Sequence, residues 1–201
     1  MGYHTDFHGE FTIDKPVDED TYKLLDGLNK TRRMKRSVTK LAKRLKITPQ
    51  KCKKLYGTDC EFWVRDDKDC GQTQTEDIVD YNKPPESQPG LWNHWAIDED
   101  KQTILWDEGE KFYEYIEWIK YLIDKILAPR GYVVKGIVSW SGEEDEDMGE
   151  IHVENNIVLV KHATIFMLTE EDAERVRQLV NSYTTNPLKE CIDEVLDGQD
   201  A

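Results

Sequence analysis

No apolar run in these 201 residues approaches the roughly 18 to 20 needed to cross a bilayer. The opening residues, MGYHTDFHGEF, lack the basic-then-apolar pattern of a secretory leader. Gly2 is followed at position six by Asp6, where the myristoylation pattern requires Ser or Thr. A cytoplasmic protein without membrane attachment is expected. Cysteine is scarce. Cys52, Cys60, Cys70 and Cys191 are too widely spaced for a CxxC zinc knuckle and too few for a disulfide framework. Reduced thiols are expected, with a metal site from the first three as the alternative. The dinucleotide fingerprint GxGxxG, the phosphate loop, the GxSxG elbow and the HExxH zinc motif are all missing. No nucleophile can be paired with a base by spacing, so no reaction is legible and no cofactor is implied.

Negative charge is absent from one window only. Between Gly27 and Thr58 there is no acidic residue, while Lys30, Arg32, Arg33, Lys35, Arg36, Lys40, Lys43, Arg44, Lys46, Lys51, Lys53 and Lys54 give +12. The rest of the chain sets 15 basic residues against 41 acidic ones, a net of −26, so the overall charge of −14 hides a basic lobe on an acidic body.

Period-two alternation of Tyr3, Phe7, Phe11 and Ile13 predicts a half-buried strand, ended at Lys15-Pro16. Asp18 or Asp20 can then cap a helix to about Leu28. In RSVTKLAKRLKITPQKCKKLYG the apolar positions predict a helix, a turn at Lys46 to Pro49, and a second short helix ending at Gly57. This spacing is similar to a DNA-binding helix-turn-helix, with Ala42, Ile47, Cys52 and Leu55 near core positions and Lys46 where glycine is usual. The same pattern also suits a helical hairpin with solvated lysines. Glu61 to Arg65 is a further strand candidate. The polar stretch from Asp66 to Pro89, with Pro84, Pro85 and Pro89, reads as a long loop.

The stretch from Gln88 to Ala128 carries four of the six tryptophans, Trp92, Trp95, Trp106 and Trp118. It predicts strands over Trp92 to Ile97 and Thr103 to Trp106, then a long helix starting at Asp107 with Glu110 completing a capping box. Phe112, Tyr115, Ile116, Ile119, Leu122, Ile123 and Ile126 share its core face. Tyr113, Trp118 and Tyr121 point elsewhere, either to a partner or under a neighbouring loop. Strands from Tyr132 to Trp140, Ile151 to Glu154 and Ile157 to Lys161 follow, the last two joined by an Asn155-Asn156 turn. Two C-terminal helices are expected, over TEEDAERVRQLVNSY and from Pro187 to Leu196. The fold class is therefore α+β: an antiparallel sheet with one long helix packed on it, a basic helical hairpin inserted at about 30–57, and a helical appendix at 166–201 after a 1–165 domain.

His4, Asp6 and His8 share one strand face and are chemically able to bind zinc or iron, but such a face is also the ordinary solvated side of a strand. Glu143 to Asp147 crowd one loop without the alternating ligands of an EF-hand, so a solvated acidic turn is expected.

MGYHTDFHGEF, TRRMKR, YGTDCEFWV, IVDYNKPPESQPGLW, TILWDEGEKFYEYIEWIKYLI and GIVSWSGEEDEDMGEIHVENNIV together resemble an uncharacterised family of small bacteriophage and bacterial proteins. The resemblance spans about Met1 to Lys161, differs at Glu108-Gly109, where the family usually has two glycines, and does not fix His8. It implies a phage or prophage setting and an α+β domain, and supplies no mechanism. The first functional expectation is a non-catalytic accessory protein that binds a host macromolecule, foremost a host protein, in takeover or anti-defence. The second is a nucleotide sequestrant or hydrolase with a pocket at Gln72, Asn82, Gln88, Trp92 and Trp95. The third is a nucleic-acid-binding factor. The basic contacts expected are Arg32, Arg33, Lys35, Arg36, Lys43, Arg44, Lys53 and Lys54.

Overall fold

Alternation along the chain builds a six-stranded antiparallel sheet. A computed structural model describes residues 2–65 and 69–163, with Glu174, Arg175 and Gln178 beyond them. Strand β1 (Thr5–Ile13) buries Phe7, Phe11 and Ile13 and exposes Asp6, His8 and Glu10, the expected half-buried pattern. It lies at the centre of the order β4-β5-β1-β6-β7-β8, formed with β4 (Trp95–Ile97), β5 (Thr103–Trp106), β6 (Val134–Gly142), β7 (Met148–Glu154) and β8 (Ile157–His162). Register is continuous from Thr5 opposite Gly142 to Ile13 opposite Val134. Asn155 and Asn156 take φ of 51° and 68°, the pair of positive angles a two-residue hairpin requires.

Helix α1 (Glu19–Lys30) is capped by Asp18, whose carboxylate accepts from Thr21 N at 2.8 Å. Its Leu25 and Leu28 join Phe7, Phe11, Trp95, Trp118, Ile119, Leu122 and Ile126 in one core under the sheet. Each fully buried side chain of this size contributes about 1.5–3 kcal/mol.

The helix expected from Asp107 begins eight residues later. Helix α4 spans Tyr115–Leu122, widens into a π turn, Ile123–Leu127, and then tightens into a 3-10 turn, Ala128–Arg130. Asp107 does not cap it, because its carboxylate is held by His94, Asn29 and the Gly109 N–H. Glu108, Lys111 and Glu114 between them adopt left-handed φ of 62°, 62° and 57°, incompatible with a continuous helix. Trp118 and Tyr121 lie buried, Tyr121 receiving a hydrogen bond from Gln88, whereas Tyr113 is 55% exposed. The nearby loop covers the first two.

Helices α2 (Val38–Leu45) and α3 (Pro49–Tyr56) form the basic hairpin, with Ser37 and Thr48 as caps. They close on a second, smaller core of Leu41, Ala42, Cys52, Cys60 and Trp63. Leu55, placed near the core by its spacing, is instead 51% exposed, and Tyr56 packs there in its stead. Glu61 to Arg65 is not a strand; the Glu61 and Trp63 carbonyls accept from Arg33 instead of a ladder neighbour. A two-stranded ribbon that the pattern did not announce joins β2 (Lys35–Arg36) to β3 (Ile78–Asp80) inside the long polar stretch. Trp92 also lies outside any strand, since β4 begins at Trp95.

The chain divides into two units after Ala163. The C-terminal helices expected over TEEDAERVRQLVNSY and from Pro187 lie outside the described residues, apart from Glu174, Arg175 and Gln178, which are helical. Among the described residues no helix is long and apolar enough to cross a membrane.

Candidate binding surfaces

Beyond Lys30, which pairs with Asp26 on α1, the other eleven basic residues of the acid-free window separate into two classes. The arginines hold the protein together. Arg33 is 2% exposed and donates to Gln88 Oε1 at 3.0 Å, Trp63 O at 2.8 Å and Glu61 O at 2.8 Å, all neutral acceptors. Burial pulls its pKa down to about 10, which still leaves it cationic at neutral pH. Arg36, 4% exposed, donates to Asp77 at 2.7 Å and to Gly71 O at 2.7 Å, and stacks 3.7 Å over the Trp63 ring. Arg44 reaches the same carboxylate at 2.7 Å. Burial works to raise the pKa of Asp77, but the Arg36 and Thr75 hydrogen bonds and the two guanidinium charges bring it below the ordinary value. Arg32 donates to Gln72 at 3.4 Å, and Lys35 pairs with Glu86 at 2.6 Å. Of the eight expected contacts, Arg33 and Arg36 are therefore interior, and Arg32, Lys35 and Arg44 are engaged within the molecule.

The lysines of the two helices remain in water. Lys40, Lys43, Lys46, Lys51, Lys53 and Lys54 are exposed, and none has a carboxylate within ion-pair distance among the described residues. Lys46 sits at the turn with φ 56° and ψ 40°, so it supplies the left-handed geometry for which glycine is usual at this point of a helix-turn-helix.

The expected nucleotide pocket does not assemble from its expected residues. Trp95 is 1% exposed and donates from Nε1 to Tyr115 O at 2.8 Å. Gln88, 5% exposed, spends its amide on Arg33, Glu61 O and Tyr121. Gln72 binds Arg32, and Asn82 is exposed beside Asp80. Trp92, of this set, lines a cleft. That cleft measures about 620 Å³ and brings Trp92 together with His94, Glu110, Lys111, Tyr113 and Glu114. Sequence spacing missed it because the segment from Asp107 to Glu114 reads as helix and folds as a strained loop.

No family model, curated protein or solved structure matches this chain.

One side chain of the cleft is held in a defined hydrogen-bond network. His94 Nδ1 lies 3.0 and 3.2 Å from the two oxygens of Asp107, which also accept from Asn29 Nδ2 at 2.6 Å and Gly109 N at 2.8 Å. Burial works to raise the pKa of Asp107, but the bonds from His94 and Asn29 bring it below the usual carboxylate value, so it is ionised at neutral pH. An ionised carboxylate only accepts, so Nδ1 of the imidazole is the donor in this contact and Nε2 faces away from Asp107.

Two of the metal candidates have partners within the protein. His4 Nε2 meets Asp6 at 3.1 Å, and Asp147 accepts from Tyr3 OH at 2.6 Å and Trp140 Nε1 at 3.1 Å. Among the described residues no three His, Cys, Asp or Glu side chains converge as a metal site. Cys52 and Cys60 are buried free thiols, and burial pushes that of Cys60 up to about 12.

Proposed function

We propose that this chain is a non-catalytic binding protein that engages a polyanionic macromolecule through the lysine face of α2 and α3, with duplex nucleic acid as the partner. The observation that carries this reading is the left-handed Lys46 joining two capped eight-residue helices, a hairpin with six exposed lysines. A helix-turn-helix presents its second helix to the major groove while flanking cations neutralise phosphates. Gln50, Lys51, Lys53 and Lys54 supply the exposed polar positions of α3. The acidic remainder of the chain repels nucleic acid elsewhere and so confines contact to this lobe. The resemblance to phage and bacterial proteins adds a setting, a macromolecule of the host cell met during takeover or against a defence.

The test is fluorescence anisotropy of a labelled duplex over a salt series, with polyglutamate as the acidic-protein control. Four to six phosphate contacts give a slope of log affinity on log salt of about −4 to −5. Reversing Lys43, Lys46, Lys53 and Lys54 to Glu should abolish binding and leave the fold intact. Polyglutamate binding as tightly as the duplex, or a slope near zero, would sink the nucleic-acid reading.

A further inference from the structure

The Trp92 cleft lies on the acidic body and is chemically unlike the lysine face. Its polar groups are mostly acceptors. The Glu110 and Glu114 carboxylates are exposed, and their side chains have no partner among the described residues. His94 stands in the wall with Nδ1 turned to Asp107, which fixes the orientation of the ring. The cleft has one cation, Lys111, whose stem lies where a side chain on Gly2 would project. Two aromatic faces complete the wall: Trp92, half-buried and inclined only 23° to the His94 ring, and Tyr113, 55% exposed.

Aromatic faces beside two carboxylates suit a planar group that carries positive charge and only donates. A guanidinium has five N–H donors and no acceptor, and it stacks on indole. An ammonium offers a compact point charge that cannot lie flat on the ring. A nucleotide would find a base-sized wall in Trp92, but its phosphates would meet two carboxylates on the portion of the chain that carries −26. Charge complementarity therefore separates the two ligands and favours the cation.

We infer that this cleft seats the side chain of an arginine presented by a basic protein segment. The guanidinium stacks on Trp92 and donates to Glu110 and Glu114. Asn29 and Gly109 act through Asp107 as positioning residues for the imidazole; a Cβ on Gly109 would come 2.1 Å from His94 Nδ1. This site is independent of the lysine face and would let one chain hold a nucleic acid and a basic protein at once.

Isothermal titration of the full chain decides the matter, using a short acetylated peptide with two arginines, its lysine counterpart, and AMP. The arginine peptide should saturate and bind at least about fivefold more tightly than the lysine peptide. Trp92→Leu should weaken it by roughly 3- to 10-fold, the size of a cation–π contact. Glu110→Gln with Glu114→Gln, which leaves shape and backbone unchanged, should weaken it further while thermal unfolding stays that of the parent. AMP binding more tightly than the arginine peptide would assign the cleft to nucleotides and overturn the inference. So would equal affinity for lysine, indifference to the Gln pair, or no saturation with the arginine peptide.

Discussion

Asp77→Asn tests the division of labour among the basic residues. The carboxylate is fully buried and joins Arg36, whose side chain is 2% exposed, at 2.7 Å, with Arg44 at 2.7 Å on its other oxygen. Asparagine keeps the shape and removes the charge, so Arg36 remains buried and cationic without a counter-ion. Breaking a buried pair in this way costs about 3–5 kcal/mol. Arg44 is 30% exposed and can turn to water, and Arg36 keeps its bond to Gly71 O, so the lower end of that range, about 3 kcal/mol, applies here. For a chain of this length that corresponds to a fall in Tm of about 6–12 °C. Urea unfolding at neutral pH and calorimetry measure both quantities. The pH dependence gives a second check with a fixed sign. The folded-state pKa of Asp77 lies below its ordinary value. Its contribution is therefore complete above about pH 4 and fades as pH falls through the folded value. The gap between parent and variant should accordingly narrow in acid. A loss under about 1 kcal/mol at neutral pH, or a gap that does not narrow, would refute the claim that this carboxylate holds the basic segment in place.

Three further outcomes follow from backbone geometry. Lys46→Gly relieves a left-handed residue at the α2–α3 turn and should raise stability by about 1 kcal/mol in urea unfolding, with one cation fewer on the binding face. Gly9→Ala, at φ 105° with its Cβ 2.4 Å from Ile137 O, forces β1 away from β6 and should cost at least about 2 kcal/mol. Gly109→Ala should displace His94 from Asp107, seen as a change in the imidazole nitrogen resonances, and should weaken arginine-peptide binding without abolishing folding.

Local pattern announced most of the fold. Alternation in β1, the Asp18 cap, the Asn155-Asn156 hairpin and the α2–α3 spacing each depend on neighbours a few residues apart, and each formed. The α4 start failed for a physical reason: Asp107 suited a cap by sequence, yet His94 and Asn29, distant in the chain, compete for its oxygens. The ribbon of β2 and β3 was hidden because its strands are two and three residues long and separated by some forty positions.

The candidate site was less legible. Charge segregation located the basic lobe, but a count of charges treats arginine and lysine alike. The place of Trp92 beside a proline-rich loop points to it, whereas its companions Glu110, Lys111, Tyr113 and Glu114 come from a loop that local spacing reads as helix.

By itself the sequence determined an α+β chain with a basic lobe, an acidic body and a tryptophan-rich centre, since hydrophobic period and charge are properties of adjacent residues. Only the tertiary structure decided that Arg33 and Arg36 are buried while Lys43, Lys53 and Lys54 face water. A planar guanidinium can be satisfied indoors by carbonyls, a carboxylate and an indole face brought from far along the chain, and a lysine on an exposed helix face meets none of these.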